Sequence, residues 1–168
     1  EIKQELDGRK IRAHLDDRDQ VTPGFKFNDW EMKGVPIRIE LGPKDLEHDR
    51  VVFVRRHNQQ KQEHQISGLV EKIITELDNI HNDMFSDAQK ILDDRTINAE
   101  TYDDFKSELE KGMLIKAAIC DNPLCEEKIK EETGADIRVI PDGCDDDISK
   151  CIYCDGQSKI RPLFARGY

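Results

Sequence analysis

The sequence predicts an α/β chain in two parts: a sheet-bearing part over residues 1–66, then a long helical linker leading into a small α+β metal-binding part over residues 67–168. Three observations carry this reading. Period-two apolar runs lie before residue 67, a 3.6-residue apolar stripe follows from Ser67, and two closely spaced cysteine pairs occupy the last third. With 36% hydrophobic and 37% charged residues, the 168-residue chain suits one or two domains with modest cores and wide solvated helix faces.

Taken in order, Ile2 and Leu6 stand at helical spacing with no capping residue ahead of them, as if the chain starts inside a domain. Lys10 to Leu15 alternates and predicts a strand, which the charged turn Asp16–Asp19 and the Pro23-Gly24 pair end. A short helix is expected from Asn28 to Lys33, closed by Gly34 and Pro36. The run Pro36 to Leu41 then puts Ile37, Ile39 and Leu41 toward a core and leaves Arg38 and Glu40 sharing the other face, free for ligand work. Gly42-Pro43 breaks this strand, Arg50 to Arg56 forms a more continuously apolar one, and Lys61 to Ile66 is its antiparallel partner.

From Leu69 to Leu92 apolar residues recur every three or four positions, which marks one long amphipathic helix bridging two domains. A coiled coil is the other reading of such a stripe, but no 3.5-residue repeat is sustained. Thr101 with Asp104 resembles a capping box opening a helix through Phe105 and Leu109, and Met113 to Ile119 reads as a strand leading into Cys120.

Net charge is −10, which at first argues against a nucleic-acid partner. The deficit is uneven. Residues 1–66 hold 13 Lys plus Arg against 13 Asp plus Glu, and the remaining 26 − 13 = 13 against 36 − 13 = 23 lie in residues 67–168. Any RNA contact therefore belongs to the first part, the alternative being charges that are merely solvated surface. No apolar run approaches the roughly 20 residues of a membrane span, and the first residues lack a leader pattern, so a soluble, cytoplasmic chain with no membrane partner is expected.

All five cysteines fall between positions 120 and 154, which fits a local metal site in a reducing compartment better than a spread disulfide framework. Cys120 and Cys125 form a Cys-x4-Cys loop, and Cys151 and Cys154 a Cys-x2-Cys knuckle followed by the flexible pair Asp155-Gly156. Two turn-spaced pairs match a structural Zn2+ held by four thiolates, with no open position for chemistry; buried free thiols and a redox thiol are the other readings. Cys144 is left over in an acidic loop, where the carboxylates disfavour a nucleophilic thiolate.

The run from Leu15 to Glu47 (LDDRDQVTPGFKFNDWEMKGVPIRIELGPKDLE), and after it the Cys-x4-Cys loop, Glu131–Ala135 (EETGA), the Cys-x2-Cys knuckle and the terminal aromatic residue, resemble the C-terminal region of prolyl-tRNA synthetases of the archaeal and eukaryotic-like type. The resemblance covers nearly the whole chain. It implies a mixed-sheet anticodon-binding domain, here N-terminally incomplete, followed by a zinc-binding domain. It implies that Glu31, Arg38, Lys44, Asp45 and Lys61 read the anticodon of tRNA(Pro), whose two adjacent guanines present acceptors that cations match and donors that carboxylates match. The four zinc ligands fall on Cys120, Cys125, Cys151 and Cys154, and Cys144 is not among them.

The same resemblance implies that the intact enzyme, a class II ligase, joins L-proline to tRNA(Pro) with ATP and Mg2+ through a prolyl-adenylate. ATP-binding motifs are absent from this chain, so its own catalytic domain is an expected partner and a homodimer through that domain is expected. Tyr168 would help to order the active site. Its apolar approach from Leu163 suggests a docked ending, mobile beyond about Ala165 without the core. The alternatives are a stand-alone RNA-binding protein and a zinc-stabilised interaction module.

Overall fold

Thr22 opens the first well-capped helix: its hydroxyl accepts the Phe25 N–H at 3.3 Å, and Pro23 occupies the first turn, where its missing N–H costs nothing. The computed structural model describes residues 1–142 and 149–167. Two compact units divide them, Glu1–Asp87 and Ala88–Tyr168. The division falls inside the long helix rather than at residue 66, because the first turns of that helix bury their apolar side chains against the first sheet.

The first unit runs α1 (Ile2–Gly8), α2 (Pro23–Met32), β1 (Ile37–Glu40), α3 (Pro43–Glu47), β2 (Arg50–Arg55), β3 (Lys61–Gln65) and the start of α4 (Leu69–Arg95). Its sheet has the order β1-β2-β3, antiparallel throughout, with Ile37 opposite Arg55 and Val54 opposite Lys61. Leu6, Val51, Leu69 and Ile73 form the core, with Ile37 and Ile39 packed on it. Leu41 departs from the expected inward pattern: it lies past the end of β1 and is exposed.

The expected strand at Lys10–Leu15 does not form, and residues 11–18 have no regular secondary structure. Ile11 and Ala13 do reach the core, as their alternation requires, but this stretch pairs with no strand of the sheet. Asp16 instead fixes the segment through side-chain bonds, accepting from Arg18 at 2.8 Å and from Trp30 Nε1 at 2.8 Å. Helix α2 also starts five residues earlier than Asn28, where Thr22 and Pro23 set its end.

The second unit contains the end of α4, then β4 (Thr96–Asn98), α5 (Tyr102–Glu110), β5 (Leu114–Lys116), α6 (Pro123–Thr133), β6 (Ala135–Val139), β7 (Ser149–Lys150), β8 (Gln157–Ser158) and β9 (Leu163–Arg166). Its four-stranded sheet has the order β4-β5-β9-β6 and supplies the mixed pairing: β4 and β5 are parallel, and β9 is antiparallel to both its neighbours. Phe105, Ile115, Ile129 and Phe164 are fully buried, and the Phe105 and Phe164 rings meet edge to face at 5.2 Å. Strand β9 runs to Arg166, which stands opposite Ala135 and whose guanidinium donates to the Thr133 carbonyl at 2.7 Å. Cys144 and Tyr168 lie outside the described residues. No helix is long and apolar enough to cross a membrane among the described residues.

The Thr101 cap forms as expected. Its hydroxyl accepts the Asp104 N–H at 3.1 Å and donates to the Asp104 carboxylate at 2.7 Å. Thr101→Ala should cost about 1 kcal/mol, whereas Thr101→Ser should keep most of the stability, as read from denaturant unfolding.

Candidate anticodon-reading face and metal centre

Strand β1 places Arg38 and Glu40 on the face opposite Ile37 and Ile39, and α2 covers part of that face. The Arg38 guanidinium lies 4.0 Å from the Phe27 ring centroid, which stacks it in place. Its Nε donates to Glu40 at 2.9 Å and its Nη1 to Glu31. Lys61, from β3, stands 3.9 Å from the same Glu40 oxygen. Arg38 and Lys61, two of the five expected reading residues, thus converge on Glu40, and a third, Glu31, holds Arg38 from its other side. The period-two alternation had put Glu40 on this face without giving it a part.

Helix α3 carries the other two. Asp45 accepts the Gly42 N–H at 3.0 Å and lies 3.4 Å from Arg50 Nε, while Arg50 also pairs with Glu63 at 2.9 Å. Lys44 is exposed and its ammonium makes no ion pair among the described residues. The face therefore carries cations and carboxylates side by side on one side of one short sheet.

In the second unit, Cys120 follows the β5 edge, Cys125 sits in the first turn of α6, and Cys151 and Cys154 flank a tight turn. The four Sγ atoms lie within 4.8 Å of one another, with Cys120 3.6 Å from Cys125 and 3.7 Å from Cys154. Zinc–thiolate bonds of about 2.3 Å at tetrahedral angles require sulfurs about 3.8 Å apart, which the Cys120–Cys125 and Cys120–Cys154 separations match. None of the four is in a disulfide.

The knuckle is held from several sides. The Asp155 N–H bonds the Cys151 carbonyl at 3.0 Å, and the Ile152 N–H bonds that of Ala118 at 2.8 Å. Asp155, not Gly156, takes the positive φ of 58°. Gly156 has another part: a Cβ there would come within 3.2 Å of the Cys154 sulfur, a tight contact that glycine avoids. Tyr153, between the two cysteines, donates to Glu132 at 2.9 Å beside Tyr102, which donates to the same carboxylate at 3.0 Å. This anchor to α5 and α6 carries no motif in the sequence.

Burial pushes the Cys120 and Cys125 thiols up. Burial acts the same way on Cys151, but the backbone amides of Cys120, Cys154 and Tyr153 outweigh it and hold that thiol down at about 7. Cys151 is thus the thiol most inclined to ionise, and Cys120 and Cys125 must lose their protons before they can ligate a cation.

Comparisons with known proteins follow the same division. Residues 1–76 match the anticodon-binding domain model, and residues 102–168 match the model of the prolyl-tRNA synthetase C-terminal domain. The chain is 45% identical to a proline–tRNA ligase of Cenarchaeum symbiosum over 94% of its own length and 33% of the relative's. It is 42% identical to proline–tRNA ligase 2 of Clostridioides difficile over 99% of its length and 35% of the relative's. A crystal structure of prolyl-tRNA synthetase from Cryptosporidium parvum, complexed with L-proline and AMP, superposes with a TM-score of 0.91 at 34% identity, covering 99% of this chain and 36% of that one. The chain spans about a third of the length of the relatives it matches. With an anticodon-binding domain followed by the C-terminal domain particular to these enzymes, the chain belongs to the prolyl-tRNA synthetase family and corresponds to its C-terminal region.

Proposed function

We propose that this chain reads the anticodon of tRNA(Pro) through Glu31, Arg38, Lys44, Asp45 and Lys61, and that Cys120, Cys125, Cys151 and Cys154 hold one structural Zn2+. The observation that carries the reading is the Glu31–Arg38–Glu40 cluster, half-buried and stacked on Phe27 on one face of the sheet. Such a cluster presents donors and acceptors in fixed positions, so little ordering is lost when a splayed guanine docks. The Arg38 Nη2 makes no hydrogen bond among the described residues and is the donor available to guanine O6 or N7. Glu31 accepts from the N1–H and N2–H edge, and Lys44, unpaired, supplies a mobile cation.

In the whole protein this region would serve a catalytic domain that joins L-proline to tRNA(Pro) with ATP and Mg2+ in the cytoplasm, the homodimer forming through that domain and Tyr168 helping to order the active site. Zinc bound by four thiolates would hold the second unit together and take no part in the chemistry.

Arg38→Ala and Glu31→Ala should each reduce discrimination between tRNA(Pro) and a transcript with both anticodon guanines replaced by about 1–3 kcal/mol. Binding titrations at one fixed salt concentration measure this. Equal losses for both RNAs in the Arg38 variant would reduce the residue to a phosphate contact.

A further inference from the structure

Arg56 sits one residue beyond β2, and its N–H donates to the Pro36 carbonyl at 2.9 Å, which carries the β1–β2 ladder one residue further. In that ladder Arg38 stands opposite Val54, and Val54 stands opposite Lys61. Period-two alternation therefore puts Arg56 on the side of the sheet that carries Arg38 and Lys61, diagonal to both. Diagonal neighbours on one face are about 7–8 Å apart, within reach of long side chains. Arg56 is not among the five expected reading residues.

No side chain answers its charge. Arg18, Arg38, Arg50, Arg55 and Arg161, the other buried or half-buried arginines, each pair with a carboxylate. Arg56 is half-buried as well, but it makes no ion pair among the described residues, and its Nε is shielded from solvent with no hydrogen-bond partner there. That shielding separates it from an exposed arginine, whose charge water satisfies. Glu31 and Glu40 are already held by Arg38, and Glu40 also faces Lys61 at 3.9 Å, so neither carboxylate is left for Arg56. A guanidinium forks onto two oxygens of one phosphate, and a half-buried one gives up little side-chain freedom when the anion arrives.

We propose that Arg56 binds a backbone phosphate of the RNA whose guanines meet Arg38 and Lys61. The inference rests on the anticodon-reading function proposed above. A phosphate contact fixes register and carries no sequence information, so Arg56 adds affinity and sets where the strand lies without choosing a base. The unpaired charge also costs the free chain stability, and an RNA phosphate offsets that cost.

Titrations of the chain with tRNA(Pro) and with the guanine-replaced transcript, at several salt concentrations, test this. Arg56→Gln should weaken both RNAs about tenfold and lower the slope of log K against log salt by about 0.7, the value for one single-strand phosphate. Arg56→Lys should keep the slope and much of the affinity, because it keeps the charge without the fork. Denaturant unfolding of the first unit, followed by the emission of Trp30, the chain's one tryptophan, should give Arg56→Gln a midpoint equal to or above the parent's. A lower midpoint would mean that the guanidinium serves the fold, and the proposal fails. It fails also if Arg56→Gln binds both RNAs with the parent's affinity and slope while Arg38→Ala still loses guanine discrimination; the reading function then stands. A variant that weakens tRNA(Pro) alone would place Arg56 on a base and overturn the phosphate contact. A parent that does not distinguish the two RNAs would sink the reading function, and the inference with it.

Discussion

Cys151→Ser is expected to strip the metal from the chain and to remove the cooperative unfolding of the second unit. Elemental analysis should fall from one zinc per chain to none. Binding free energies at structural zinc sites are on the order of 10–16 kcal/mol in small zinc-finger peptides, comparable with the whole stability of a domain. Here the metal would join α6, the β5 edge and the Cys151–Cys154 turn, and Cys125 and Cys151 are themselves members of the buried cluster with Phe105 and Phe164. The loss should therefore spread into the core of that unit. Trp30, in the other unit, should keep its emission and serve as the control. Because a cation must displace protons from Cys120 and Cys125, apparent metal affinity should rise with pH. Cys144→Ser should retain the metal, since four other thiols complete the tetrahedron. A Cys151→Ser chain that still carries one zinc would refute the assignment.

How legible these features were depends on whether the signal is local. The four-cysteine cluster was visible because a short turn fixes each pair, and the pairs meet with α6 and β6 in the 25 residues between them. Thr101, the β1 alternation and the β2–β3 hairpin were legible for the same reason: each is decided within a few residues. Strand β9 was not, although the apolar ending at Leu163 suggested docking. Its place between β5 and β6 depends on partners about fifty and thirty residues away in sequence. Lys10–Leu15 failed in the opposite sense, with the right alternation but no neighbouring strand to pair with. The residues of the proposed reading face came from resemblance alone, and only the structure added Glu40 and Phe27 as the groups that hold Arg38 in place.

The long helix hid one more feature, and it carries the second large effect. Leu69, Ile73, Glu76 and Ile80 are the buried residues of α4, so a glutamate shares the buried side of the helix with the apolar stripe, whose Leu77 packs on the core beside it. Glu76 is 2% exposed and accepts from Arg55 Nε at 2.7 Å and Lys72 Nζ at 2.7 Å, while Arg55 also reaches Asp83 at 3.0 Å. Glu76→Ala should destabilise the first unit by about 3–5 kcal/mol, because it leaves a buried guanidinium without its main partner. Replacing both members, as in Arg55→Met with Glu76→Leu, should recover most of that loss, since a buried pair often does no better than apolar side chains of similar volume. Burial pushes the Glu76 carboxyl up, but the hydrogen bonds from Lys72 and Arg55 overcome it and hold its pKa below the ordinary glutamate value of 4.5. A carboxylate depressed in this way adds stability that is complete above the unfolded value and is lost as pH falls through the folded one. The difference in unfolding free energy between the parent and Glu76→Gln should therefore be constant from neutral pH down to about 6 and shrink below the ordinary glutamate range. Denaturant unfolding of the two chains at a series of pH values measures it, and a difference that holds steady into strong acid would mean that the ion pair contributes no net stability.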